Sequence, residues 1–209
     1  MDIKKRALSS LTFSILLGVC LPAGAETLVE YTFTGPTTNA TTVAPLITAN
    51  AMATGPGTQN SGYVSGGRKT EYMNSNNGSN MDSAGPDFND YFGFTVQPVL
   101  GKLSVSTITF KYKSEDNGPR RFQVRCSLDG FTTAGTIIVP TTVIVPSTTA
   151  PLATSTADVS AVTALQGVSG PVSVRIYGWG ALSSTRYMLI DDVALLGKAP
   201  APGTLISIL

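Results

Sequence analysis

Arg186 to Gly197 reads RYMLIDDVALLG, an almost wholly apolar run broken by two adjacent carboxylates, Asp191 and Asp192. Its length, its Ile, Val and Tyr content and its closing glycine predict a central β-strand in a sheet covered on both faces. Strand alternation sets Leu189, Asp191, Val193 and Leu195 on one face and Met188, Ile190, Asp192, Ala194 and Leu196 on the other. One aspartate, or both, is therefore expected among apolar neighbours. An ionised carboxylate there needs a cation, an arginine or several backbone N–H groups to offset its lost hydration.

The rest of the chain repeats the strand signal. LVEYTFT (Leu28–Thr34), DYFGFTVQ (Asp90–Gln97), LSVSTITFKYK (Leu103–Lys113), RRFQVRCSL (Arg120–Leu128) and VSVRIYGW (Val172–Trp179) alternate or run apolar between turn residues. Shorter strands are expected around Leu46–Met52, Gly62–Ser65 and Lys69–Met73, and Asp129-Gly130 is expected to turn the chain. Asp158–Leu165 fits one helical turn or a short strand, and no segment carries a helical stripe. Thr132–Ser155 holds an imperfect duplication, IVPTT and IVPSTT, whose prolines restrict it to sheet edges or strand ends. Many short strands without helices imply an all-β fold, an antiparallel β-sandwich of the jelly-roll type.

At 209 residues the chain has room for a single domain plus processing segments. Its 14 basic and 13 acidic residues lack the clustered positive excess that nucleic acid requires. Histidine is absent, which removes histidine-dependent triads and most zinc sites, and no G-x-S-x-G occurs. Glu71, Asp82, Asp87, Glu115 and Asp116 lie in loops with no spacing that pairs them for glycosidase chemistry. The expectation is a protein that is not an enzyme.

Residues 1–25 resemble a secretory signal: Lys4, Lys5 and Arg6, then an apolar stretch from Leu11 to Leu21 too short to span a bilayer, then Ala23-Gly24-Ala25. The expected location is secreted or cell surface, with no stable membrane span in the mature chain. Residues 26–197 form the expected sandwich and 198–209 a tail. Cleavage removes Cys20 and leaves Cys126, whose place in an alternating strand makes it a buried small apolar residue.

Four segments, DYFGFTVQPVLG, GPRRFQVRCSLDGF, GPVSVRIYGWGA and RYMLIDDVALLG, resemble in order and spacing the β-sandwich domain of bacterial exported proteins that carry a PEP-CTERM sorting signal. The resemblance covers Asp90 to Gly197 and, more weakly, the chain from Leu28. The tail Pro200-Ala201-Pro202-Gly203-Thr204-Leu205 is similar to the start of such a signal, with Ala201 in place of glutamate and only Ile206 to Leu209 after it, so it reads as degenerate or truncated. This family implies export into extracellular matrix and assigns no activity. Asp191 and Asp192 are also similar to the last strand of carbohydrate-binding jelly rolls, where an aspartate helps to hold a structural calcium. Glu30 on the first strand would supply a further carboxylate if the terminal strands meet. The plainer alternative pairs one aspartate with an arginine such as Arg186 and leaves the other in solvent.

Two further features bear on function. Tyr177 and Trp179 share a strand face with Arg175 and Ser173, so the rings are candidates for stacking on a sugar with Arg175 as hydrogen-bond donor. The plainer alternative packs both rings under a loop. Lys111, Lys113, Arg121, Gln123, Arg125 and Arg175 fall on outward faces and would make a basic face for anionic polysaccharide if their strands share a sheet. Expected partners are thus extracellular polysaccharide or other surface proteins, the latter by strand addition at Thr132–Ser155.

Overall fold

A computed structural model describes residues 24–64, 66–71, 85–183 and 185–200. The expectations for the signal segment, Cys20, Asp82 and the sorting-like tail lie outside the described residues. In chain order the strands are β1 (Glu26–Tyr31), β2 (Thr42–Val43), β3 (Ile47–Ala49), β4 (Ala53–Thr54), β5 (Gln59–Val64), β6 (Gly67–Glu71) and β7 (Tyr91–Pro98). After these come β8 (Ser104–Ser114), β9 (Arg121–Ser127), β10 (Thr136–Val143), β11 (Ala153–Asp158), β12 (Val172–Trp179) and β13 (Tyr187–Lys198). A single 3-10 turn, Thr163–Leu165, is the only helical element among the described residues, and no helix there is long and apolar enough to cross a membrane.

Two antiparallel sheets face each other. Sheet A runs β11-β8-β13-β1-β2, with the β5–β6 hairpin joined to β13, and sheet B runs β10-β9-β12-β7-β3, with β4 beside β7. From β7 onward the chain moves between the sheets, with β7 in sheet B, β8 in sheet A, the β9–β10 hairpin in sheet B, β11 in sheet A, β12 in sheet B and β13 in sheet A. This is jelly-roll winding, and it bears out the expected antiparallel sandwich. β13 is central, with β8 on one side and β6 and then β1 on the other.

Alternation explains the core. Val172, Val174 and Ile176 of β12 meet Phe122, Val124 and Cys126 of β9 and Phe92, Phe94 and Val96 of β7 in one buried cluster with Ile108, Phe110, Met188 and Ile190 from sheet A. Each fully buried side chain of this size contributes about 1.5–3 kcal/mol relative to exposure. Cys126 is 1% exposed, and burial pushes its thiol up to about 11.

The structure corrects the alternation assumed for RYMLIDDVALLG. Met188 and Ile190 point into the cluster, but so do Val193 and Leu195, because the register against β8 slips between Asp191 and Ala194. One extra residue there is a β-bulge, and Asp192 sits in it at φ 45°. Asparagine and aspartate tolerate that left-handed conformation better than other residues with side chains. Neither aspartate is forced into the core: both are part-exposed, and the strand buries its apolar residues on either side of them.

Two further expectations shift. Ala153–Asp158 is a strand, β11, pairing along β8 from Tyr112 to Thr107, whereas only its last residue lies in the segment expected to be a turn or strand. Of the duplicated motif, the first copy lies in β10 and the second follows it as non-strand chain, with Ile144 buried and Val145 85% exposed. Thr132–Ser155 therefore supplies edge strands to both sheets, β10 to sheet B and the start of β11 to sheet A.

Candidate functional site

The outer face of sheet B is built by cross-strand register. Gln123, Tyr177 and Tyr91 lie in one row, Arg125, Arg175 and Gly93 in the next, and Ser127, Ser173 and Thr95 in a third. All are odd-numbered partners of core residues, so the pleat turns them away from sheet A. Two arginines directly opposite each other repel unless something offsets them. Among the described residues neither has a carboxylate partner. Arg175 instead lies between two rings, 3.9 Å from the Tyr91 centroid and 4.2 Å from that of Phe131. Arg125 stacks 4.9 Å over Phe88 and donates from Nε to Gln123 Oε1 (2.7 Å) and from Nη1 to the Ala134 carbonyl (3.0 Å). Cation–π contacts of this kind steady the guanidinium planes without neutralising them.

Phe131 arrives from the β9–β10 loop in a fixed pose. It has φ 66°, unusual for a bulky residue, and such strain persists only where surrounding bonds over-determine it. Those bonds come from Ser127 and Asp129. Ser127 Oγ accepts from the amides of Asp129 (3.1 Å) and Phe131 (2.9 Å), and Asp129 Oδ1 accepts from the Phe131 amide as well (3.0 Å). Asp129 Oδ2 accepts from the hydroxyls of Thr132 (2.7 Å) and Thr133 (2.9 Å). Hydrogen bonds from Ser127, Thr132 and Thr133 hold the Asp129 carboxyl well below the usual carboxylate range. Gly135, at φ 69°, completes the loop, since a Cβ there would stand 2.6 Å from the Cys126 carbonyl and 2.8 Å from the Phe131 ring.

Two hollows of about 290 and 310 Å³ meet at Phe131 and Arg175. Gly93 leaves the floor of the first open, because a Cβ there would press within 3.0 Å of Tyr91 and 3.3 Å of Arg175. Ser173 Oγ and Thr95 Oγ1, 2.9 Å apart, and Asn50 edge the same hollow.

The sequence-selected residues divide. Arg175 lies on the outward face of β12, where alternation places it, between the Tyr91 and Phe131 rings. Tyr177 and Trp179 are on the expected side of β12 but are 0% and 3% exposed, so neither ring presents a face to a ligand as it stands. Tyr177 is covered by Phe88, Tyr91 and Phe131, whose centroids stand 5.7, 5.9 and 6.4 Å away in edge-on geometry. The plainer alternative, rings packed beneath loops, is the one realised for Tyr177. Its hydroxyl is buried without a hydrogen-bond partner of acceptable geometry. Burial raises its pKa, and the nearby Arg175, by close approach of its guanidinium to the hydroxyl and by its charge, and then the charge of Arg125, oppose that rise.

The basic face splits. Lys111 and Lys113 belong to β8 in sheet A, whereas Arg121, Gln123, Arg125 and Arg175 belong to β9 and β12 in sheet B. The proposed calcium ligands are neighbours in fold but not in space around one point. β1 does pair with β13, placing Glu30 opposite Ala194. Yet Glu30 Oε2 accepts from Thr42 Oγ1 (3.2 Å), Asp191 Oδ1 from the Phe33 amide (3.1 Å), and Asp192 pairs with Lys111 Nζ at 2.6 Å. Among the described residues no three side chains of the metal-ligating types gather. Arg186, the other candidate partner, pairs with Glu115 at 3.7 Å. Sequence reasoning placed Arg125 and Arg175 together on a candidate basic face but missed Phe88, Tyr91 and Phe131; the only hint was an aromatic immediately after the Asp129-Gly130 turn.

No protein-family model matches the chain, and no curated protein matches its sequence. Among solved structures it is similar to a variant family 29 carbohydrate-binding module complexed with mannohexaose, at 13% identity and TM-score 0.42 over 85% of this chain and 95% of that one. A family 4 carbohydrate-binding module gives 16% identity and TM-score 0.42 over 68% of this chain and 77% of the other. A family 29 module from Piromyces equi gives 9% and 0.43 over 86% and 93%. Superposition this loose says nothing of ligand or activity.

Proposed function

We propose that the protein is a secreted, non-catalytic glycan-binding module of the cell surface or extracellular matrix, and that it binds through the outer face of sheet B. The observation that carries this reading is Phe131, fixed at positive φ by the Ser127–Asp129 bonds and set against Arg175 beside an open hollow. A rigid aromatic next to a guanidinium and a hydroxyl pair offers what a pyranose needs: an apolar plane for its C–H face and donors and acceptors for its hydroxyls. The lack of histidine and the absence of any pairing pattern among the loop acids favour binding over catalysis.

Affinity electrophoresis against a panel of neutral and acidic polysaccharides tests it. Wild type is expected to be retarded by at least one polymer and Phe131→Ala to lose about tenfold in affinity, the scale of a central aromatic anchor. Retardation unchanged in Phe131→Ala would overturn the named site.

A second reading has its own observation. β10 is the open edge of sheet B, and Ile137, Val143 and Val145 near it are 48%, 67% and 85% exposed. Such an edge suits addition of a strand from another surface protein. Concentration-dependent assembly in light scattering, abolished by Val143→Glu, would favour it.

A further inference from the structure

The hollow of about 310 Å³ beside Phe131 holds donors that lack acceptors. Tyr177 lines it, and its hydroxyl is fully buried beside Arg175 with no hydrogen bond of good geometry. Arg175 lines it too, and Arg125 stands directly opposite Arg175 in the register, with its guanidinium over Phe88, another wall of the same hollow. Neither arginine meets a carboxylate among the described residues. The carboxylate nearest in the loop, Asp129, is already saturated by Ser127, Thr132, Thr133 and the Phe131 amide. Buried polar groups are ordinarily satisfied, so a hydroxyl left open beside two unneutralised guanidinium groups marks a place where an acceptor is missing.

We infer that the glycan bound here is acidic, and that the carboxylate of a uronic acid unit sits against Arg175, Arg125 and the Tyr177 hydroxyl. This rests on the glycan reading given above. A carboxylate is planar, accepts on both oxygens and matches the guanidinium fork, while Phe88 and Phe131 supply apolar walls for the ring that carries it.

The full chain would be titrated with polygalacturonate, with the same polymer after reduction of its carboxyls to alcohols, with neutral glucomannan and with dextran sulfate. Polygalacturonate is expected to bind, and its carboxyl-reduced form about tenfold more weakly or not at all, the scale of a charge-assisted bond. Arg175→Gln and Arg125→Gln should each lose a similar factor. Tyr177→Phe separates a ligand contact from a structural one: it should lower uronate affinity several-fold while leaving the melting temperature unchanged or higher, because it removes a buried group without a partner. Equal binding of native and reduced polymers would overturn the acidic specificity and leave the glycan reading standing. No binding to any of the four polymers would overturn both. Dextran sulfate binding as tightly as polygalacturonate, with Tyr177→Phe silent, would reduce the site to non-specific charge attraction and also overturn the inference.

Discussion

The carboxylates around the β13 bulge of sheet A and the paired arginines of sheet B are treated differently, although Arg68 Nε of β6, in sheet A, is also buried without a hydrogen-bond partner. On the sheet A side, around the β13 bulge, Asp191 takes the Phe33 amide, Asp192 takes Lys111, Glu30 takes Thr42 and Glu115 takes Arg186. On sheet B, Arg125 and Arg175 face each other with no carboxylate partner among the described residues, and the Tyr177 hydroxyl makes no hydrogen bond of good geometry. The charges most visible in the sequence, two aspartates in an apolar run, are thus the ones the fold has already answered. Arg175 attracts less notice in its strand, yet it is where the fold leaves interactions open. Satisfied polar groups hold a structure together, and unsatisfied ones that persist in a fixed frame point to an absent ligand.

The contrast can be broken most severely at the bulge. Val193→Asp puts a carboxylate at a position that is 0% exposed, and it is expected to cost about 3–5 kcal/mol, as an uncompensated buried charge does. Urea unfolding reads this; a loss below about 1 kcal/mol would mean that the bulge can move and that the two aspartates are not confined to their present places.

A smaller effect is expected at the Phe131 loop. Asp129→Ala should lower glycan affinity about tenfold by releasing the aromatic anchor, while the core and the melting transition change far less. The pH dependence has a defined sign. Because the folded carboxyl of Asp129 lies below its unfolded value of about 3.9, its contribution is fully present above that pH and is lost only as pH falls through the folded value. Wild-type binding should therefore show no loss from this group between neutral pH and about pH 4; loss of the Phe131 near-ultraviolet signal already at about pH 5 would contradict the arrangement.

The smallest effect belongs to the bulge aspartate itself. Asp192→Asn keeps a residue that tolerates φ 45° and removes an ion pair whose side chains are 45% and 37% exposed, so the melting temperature should move by less than about 2 °C. Millimolar calcium should leave it equally unmoved in wild type, since a ligand that binds only the folded state would raise it. A clear rise with calcium, reversed by chelator, would show that Glu30, Asp191 and Asp192 regroup around a cation.

Strands with strict alternation were legible directly: Val172–Trp179 matches β12 end to end, and its inward and outward residues fall as alternation requires. β11 was not, because Ala153 to Asp158 is an edge of small polar residues held by the β8 ladder, and such residues carry no apolar period. The bulge escaped for a different reason. Alternation presumes an unbroken ladder, and the slip between Asp191 and Ala194 is a property of the pairing with β8. The site was half legible. Arg175 could be placed on an outward face from its own strand, but the company it keeps depends on β9 and β7 flanking β12 and on Phe131 returning from the loop beyond β9. The same long-range closure buries Tyr177, whose own strand gives no sign of a lid.

The pairing of β1 with β13 has a kinetic consequence. Glu26 meets Gly197 and Tyr31 meets Val193, so sheet A gains its central ladder only from opposite ends of the sandwich sequence. Distant pairings place such a chain among the slow folders, in the range of milliseconds to seconds or longer. A polypeptide that cannot close its first strand until its last strand is available cannot complete this ladder while it is still being made.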